Sequence, residues 1–162
     1  MKKLLIGLAM VAFIAASCDG PSQAASITYP SPTGYVVDDA HILSDATKTQ
    51  LEAKLAQFEK DSSDEVAVVT VDSLQGVSVE EYSIHLAELW KVGKKTSDNG
   101  VIFLIAKTDR KVRIEVGKGL EEKLNDSKVG RILDDAVLPS LHTNDWSGGV
   151  TKGVDAIINV IK

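Results

Sequence analysis

Five aspartates, two arginines and three histidines are the residues of this chain best placed to do chemistry. Asp38 and Asp39 stand just before a helix start, Asp72 and Asp109 each follow an apolar run, and Asp98 opens the sequence Asp98-Asn99-Gly100. Carboxylates gathered from separate loops are the ligand set a hard cation such as Ca2+ or Mg2+ takes, with water completing the shell. Arg110 and Arg113 carry the planar guanidinium that suits a phosphate, but Asp109 and Glu115 stand close enough in sequence to pair with them instead. His41, His85 and His142 are scattered without the spacing a zinc site needs. The chain has no P-loop, no EF-hand loop, no cysteine-based phosphatase loop, no Arg-His-Gly signature and no Gly-x-Ser-x-Gly elbow. No nucleophile–base pair is visible. A phosphatase built from these residues would need a metal-activated water or an aspartyl nucleophile.

The elements that would position these groups follow from apolar periodicity. Ser44 announces a first helix with Leu51, Leu55 and Phe58 on one stripe. Val66 to Val71 and Val101 to Ala106 are apolar on both parities, the mark of central strands covered on both faces. Between them Ser78 and Glu81 form a capping box, and Val79, Tyr82, Leu86, Leu89 and Trp90 make the stripe of a second helix stopped by Gly93. A helix between two buried strands is a βαβ unit, so the strands are expected to be parallel with a right-handed crossover. Val112, Ile114 and Val116 alternate with Arg113 and Glu115, which predicts a half-buried antiparallel partner for the second central strand. Val129 to Val137, capped at Asp126 and broken at Pro139, gives a third helix, and Trp146 to Ile161 a fourth. The expected architecture is α/β: a three-layer α/β/α sandwich whose small mixed sheet has two parallel central strands and one antiparallel strand, flanked by about four helices.

In that layout Asp38, Asp39, Asp72 and Asp109 share the carboxyl edge of the sheet, where open α/β sheets bind ligands. Asp38, Asp72 and Asp109 are therefore the expected cation ligands, with Asp39 beside them. The alternative is that each aspartate is a turn or capping residue held by local N–H groups. Asp98 belongs to the opposite edge with Gly100, Gly117 and Gly119, where turn chemistry and glycines at positive φ are expected, with a second cation or a partner contact as the alternative.

The N-terminal sequence sets the location. Lys2 and Lys3, the apolar run Leu4 to Ala16 and the small residues Ala15, Ala16 and Ser17 read as a bacterial export signal over residues 1–17. Cys18, the only cysteine of the chain, follows at once, in the place of a lipidated lipobox cysteine. Asp19 next to it is the residue that in many Gram-negative lipoproteins implies retention at the inner membrane. Residues 18–34 hold three of the four prolines and read as an extended tether, leaving 35–162 as one domain. Removing Lys2 and Lys3 with the signal takes the net charge from −5 to −7, which argues against nucleic acid as a partner. Two or more acyl chains on Cys18 would hold the protein stably to a membrane in the cell envelope, facing away from the cytoplasm.

Four blocks carry a family resemblance: Val36–Ser44, Val66–Tyr82, Leu89–Asp126 and, more weakly, Leu138–Ile157. In that order they resemble the TPM domain from about Tyr35 to Ile161. The resemblance implies an α/β/α sandwich in an exported or lumenal, often membrane-tethered protein. It also implies Ca2+ or Mg2+ binding in some bacterial members, and acid phosphatase activity in a plant thylakoid-lumen member linked to photosystem repair. Many bacterial members end in a transmembrane helix and a Gly-rich tail, which this chain lacks, so a lipid on Cys18 would serve in their place. The expected function is binding to an unidentified membrane or envelope protein during assembly or maintenance of membrane complexes, with Ca2+ or Mg2+ as a modulator. The alternative is a metal-dependent acid phosphatase.

Overall fold

The computed structural model describes residues 26–162. The export signal, Cys18 and the first part of the tether lie outside the described residues. The sheet has four strands in the order β1 (Val36–Asp38), β2 (Glu65–Val71), β3 (Gly100–Ala106) and β4 (Lys111–Val116). β1, β2 and β3 are parallel, with Val36 beside Val68 and Val66 beside Val101, and β4 runs antiparallel to β3. The two runs apolar on both parities are thus the buried centre of the sheet, as their patterning requires. β1 joins them as a short third parallel strand.

The side chains of β2 and β3 divide by parity between two layers. Val66, Val68, Val101, Phe103 and Ile105 meet α1 (Asp45–Ser62), α3 (126–142) and α4 (Trp146–Ile161). Val69, Val71, Ile102, Leu104 and Ala106 meet α2 (Val79–Trp90). α1 and α2 therefore lie on opposite faces, although the steps β1 to β2 and β2 to β3 go the same way across the sheet. The two crossovers must then have opposite hands, and the right-handed rule can hold for only one of them.

α1 is capped by Ser44, whose hydroxyl accepts the Thr47 N–H, and ends at Ser63 in the left-handed region. Ser78 caps α2 in the same way through the Glu81 N–H. α2 stops earlier than Gly93, at a left-handed Lys91, and Leu89 is 59% exposed rather than part of the buried stripe. α3 spans 126–142. Asp126–Arg131 is α-helical, Ile132–Val137 is π-helical, and Leu138–His142 is α-helical again with Pro139 in its first turn. The expected break at Pro139 does not occur. Proline has no N–H to donate, and the wider π segment places it in a first turn, where none is needed.

Ile27 to Pro30, inside the segment read as a tether, lie against the domain. Ile27 and Tyr29 pack on the α2 side of the core, and the Tyr29 and Tyr82 rings are 4.7 Å apart. Among the described residues no helix is long and apolar enough to cross a membrane.

Candidate functional site at the carboxyl edge of the sheet

The three parallel strands end at one edge, and the turns that leave them carry the aspartates. Asp38, the last residue of β1, keeps its side chain only 2% exposed. Its Oδ1 accepts the Ile42 N–H at 3.1 Å and the Thr70 hydroxyl at 2.6 Å, and its Oδ2 accepts the Leu43 N–H at 3.1 Å. The Lys48 ammonium stands 4.0 Å from Oδ2. This carboxylate ties β1 to β2 and shapes the turn that launches α1. Asp109, after β3, accepts the Leu74 N–H through Oδ2 at 2.8 Å and so pins the β2–α2 connection.

Asp39 and Asp72 are placed differently. Both line a crevice of about 430 Å³ together with His41, Ser73, Gln75, Tyr82 and the segment Thr28–Pro30. Lys107 borders this region: its ammonium donates to the Ala40 carbonyl at 3.3 Å and stands 3.8 Å from Asp72 Oδ1. The Tyr82 hydroxyl donates to the Thr28 carbonyl at 3.2 Å. Burial, aided by charge on Tyr29 and Asp39, pushes the Tyr82 phenol up to about 12, so at neutral pH it keeps the proton it donates to Thr28. Ser73 Oγ accepts the Gln75 N–H at 3.1 Å, and among the described residues no histidine bonds it as a base would.

The structure thus brings Asp38, Asp39, Asp72 and Asp109 to one edge but gives them two kinds of work. Asp38 and Asp109 accept backbone N–H groups. Asp39 and Asp72 face the crevice. Among the described residues no group of three or more His, Cys, Asp or Glu side chains is placed to hold a metal ion. Two carboxylates beside an ammonium would leave most of a cation's shell to water.

The opposite edge is built as a turn. Asp98 takes a positive φ of 46°, and its Oδ2 accepts the Lys118 N–H at 3.1 Å. Asn99, buried, is the hub. Its Oδ1 accepts from the Lys94 N–H and the Ser97 hydroxyl, and its Nδ2 donates to the Ser63 carbonyl and Asp64 Oδ1. Gly117 and Gly119 are not at positive φ, contrary to expectation. A Cβ on Gly119 would stand 1.9 Å from the Ser97 carbonyl oxygen, so close backbone approach is what requires glycine there. Arg113 Nε donates to Glu115 Oε2 at 2.8 Å and to Ser83 Oγ at 3.1 Å, so its charge is paired within the chain, whereas Arg110 is exposed in the turn after β3.

Sequence reasoning did not single out the contacts of the Thr28–Pro30 segment. Gln75, in a turn with positive φ at Gln75 and Gly76, accepts the Thr28 N–H at 2.9 Å and donates to the Thr28 carbonyl at 2.7 Å. The Trp90 indole donates to the Pro30 carbonyl at 2.8 Å. One side-chain amide thus bonds both backbone groups of Thr28, as a neighbouring strand would.

The TPM domain profile matches residues 36–160. The solution structure of the N-terminal domain of a P. gingivalis protein is 32% identical, with a TM-score of 0.73, over 79% of this chain and 82% of that one. An N-terminal domain from Corynebacterium glutamicum is 18% identical, with a TM-score of 0.62, over 85% and 88% of the two chains. A protein of the psychrophilic bacterium Bizionia argentinensis is 17% identical, with a TM-score of 0.63, over 74% and 81%. The last two likenesses speak to the fold alone. Among curated proteins none matches.

Proposed function

The chain belongs to the TPM domain family, and from that premise we propose that it is an extracytoplasmic binding domain, held to a membrane through lipidated Cys18. In this reading it engages a membrane or envelope protein during assembly or maintenance of a complex. The observation that carries the choice of binding over catalysis is the use made of the carboxylates. The Asp38 oxygens accept two backbone N–H groups and the Thr70 hydroxyl, and Asp109 accepts one backbone N–H. The crevice beside them offers Asp39, Asp72 and the Thr28–Pro30 segment, a set suited to polar contacts with a protein surface. Ca2+ or Mg2+ would bind at Asp39 and Asp72, mostly through water, and would tune that contact without being required for the fold.

The test is turnover of an aryl phosphate by the full chain in detergent, across acidic pH, with Mg2+, Ca2+ or chelator, for the native protein, Asp39→Asn and Asp72→Asn. No turnover above buffer under any condition is the expected result. Chelator-sensitive turnover that either substitution abolishes would replace this reading with a metal-dependent acid phosphatase.

A further inference from the structure

β4 is the sheet edge with length to offer. β1, at the other edge, has three residues, whereas β4 has six. Register sets which of its backbone groups are free. Gly117 donates its N–H to the Gly100 carbonyl at 2.8 Å, and antiparallel bonding alternates along the strand, so Lys111, Arg113 and Glu115 face β3. The N–H and C=O groups of Val112, Ile114 and Val116 therefore point away from the sheet. Among the described residues none of these groups bonds to any segment outside the sheet. An uncovered strand edge is a template for another strand.

The side chains on this edge say which strand fits. Pairing two copies of β4 antiparallel about Ile114 places Val112 opposite Val116 of the second copy. Arg113 and Glu115, already paired within their own chain, then fall opposite Glu115 and Arg113 of the second copy, so the two ion pairs lie side by side with opposite charges facing. Opposite charges directly across an antiparallel pair stabilise it, and like charges destabilise it. On the other face, the row Val112, Ile114 and Val116, packed against the core of α1, α3 and α4, continues unbroken into the same row of the second copy. The pattern is self-complementary in charge and in polarity.

We propose that β4 is a homodimer edge, joining two four-stranded sheets into one of eight. The pair is isologous, with a two-fold axis normal to the sheet. That axis keeps both α2 layers on one side, and with them both Thr28–Pro30 segments, so two tethers can enter the same membrane. The pairing itself rests on β4 alone and does not depend on the binding function or on lipid at Cys18.

The test is sedimentation of the full chain in detergent over a range of concentrations, for the native protein, Glu115→Arg, and Arg113→Glu with Glu115→Arg. A reversible monomer–dimer equilibrium is expected for the native chain. Glu115→Arg sets arginine against arginine and is expected to lose the dimer, and the charge-swapped double variant is expected to regain it. Thermal melting checks that each variant is folded. Should Glu115→Arg unfold, Val112→Pro, which removes an outward N–H that β3 does not use, is expected to abolish the dimer in its place. A native chain that stays monomeric throughout overturns the proposal, including one whose edge another protein's strand then occupies. A dimer that these substitutions leave intact also overturns it.

Discussion

At Asp38 one side chain closes the turn between β1 and α1 and reaches across to Thr70 on β2. Removing it leaves two backbone N–H groups and a hydroxyl without their acceptor, which costs about 2–4 kcal/mol. Asp38→Ala is therefore expected to lower the melting temperature by roughly 3 °C per kcal/mol lost for a domain of this size. Asp72→Ala, at a carboxylate 71% exposed, is expected to change it little. Chemical or thermal denaturation of the two variants side by side checks the contrast, and equal losses would refute it. The tyrosines give a pH prediction. Hydrogen bonding to Glu59, with burial adding, raises the Tyr35 phenol to about 12, and burial raises Tyr82 to about 12. A free tyrosine ionises near 10. Between those values the unfolded chain releases protons that the folded one keeps. The stability this contributes is full below about pH 10 and is lost as pH rises through about 12. Tyrosinate absorbance of the folded chain is expected to rise late. A titration centred at 10 for all three tyrosines would contradict it.

Among the elements, the turn at Gln75–Gly76 and helix α2 form a seat for an extended segment of the same chain. Gln75 bonds both backbone groups of Thr28, the Tyr82 ring packs at a tilt against Tyr29 and the Trp90 indole donates to the Pro30 carbonyl. Gln75→Ala is expected to speed hydrogen exchange at the Thr28 amide several-fold while exchange in β2 and β3 is unchanged, as one exposed hydrogen bond of about 1 kcal/mol requires. Unaltered exchange at Thr28 would mean that the segment is held by its side chains alone. At the opposite edge Gly119→Ala drives a methyl group into the Ser97 carbonyl oxygen. Backbone displacement of that kind costs about 1–3 kcal/mol, and a variant as stable as the native chain would show that the turn gives way freely.

For the whole molecule, much was legible because long patterns reflect burial on both sides. The runs at Val66 and Val101 announced central strands, and the alternation from Val112 to Val116 announced a half-covered one. What escaped was short or non-local. β1 has three residues, too few to show a period. Ile27 and Tyr29 are isolated apolar residues among prolines and small polar residues, so nothing local marks them as packed. The handedness conflict of the two crossovers depends on which face each helix takes. The carboxyl edge was legible as a place, and so were local N–H groups as the alternative partners of its aspartates, but not the third partner of Asp38, the Thr70 hydroxyl 32 residues away. The most direct test of that division is the melting temperature of the native chain and of Asp38→Asn, measured in chelator and in excess Ca2+ or Mg2+. The account predicts that Asp38→Asn is destabilised by the same amount in chelator as in cation, because its partners are the chain's own N–H and O–H groups. A native chain stabilised strongly by cation, with a loss in Asp38→Asn that appears only when cation is present, would make Asp38 a metal ligand and contradict it.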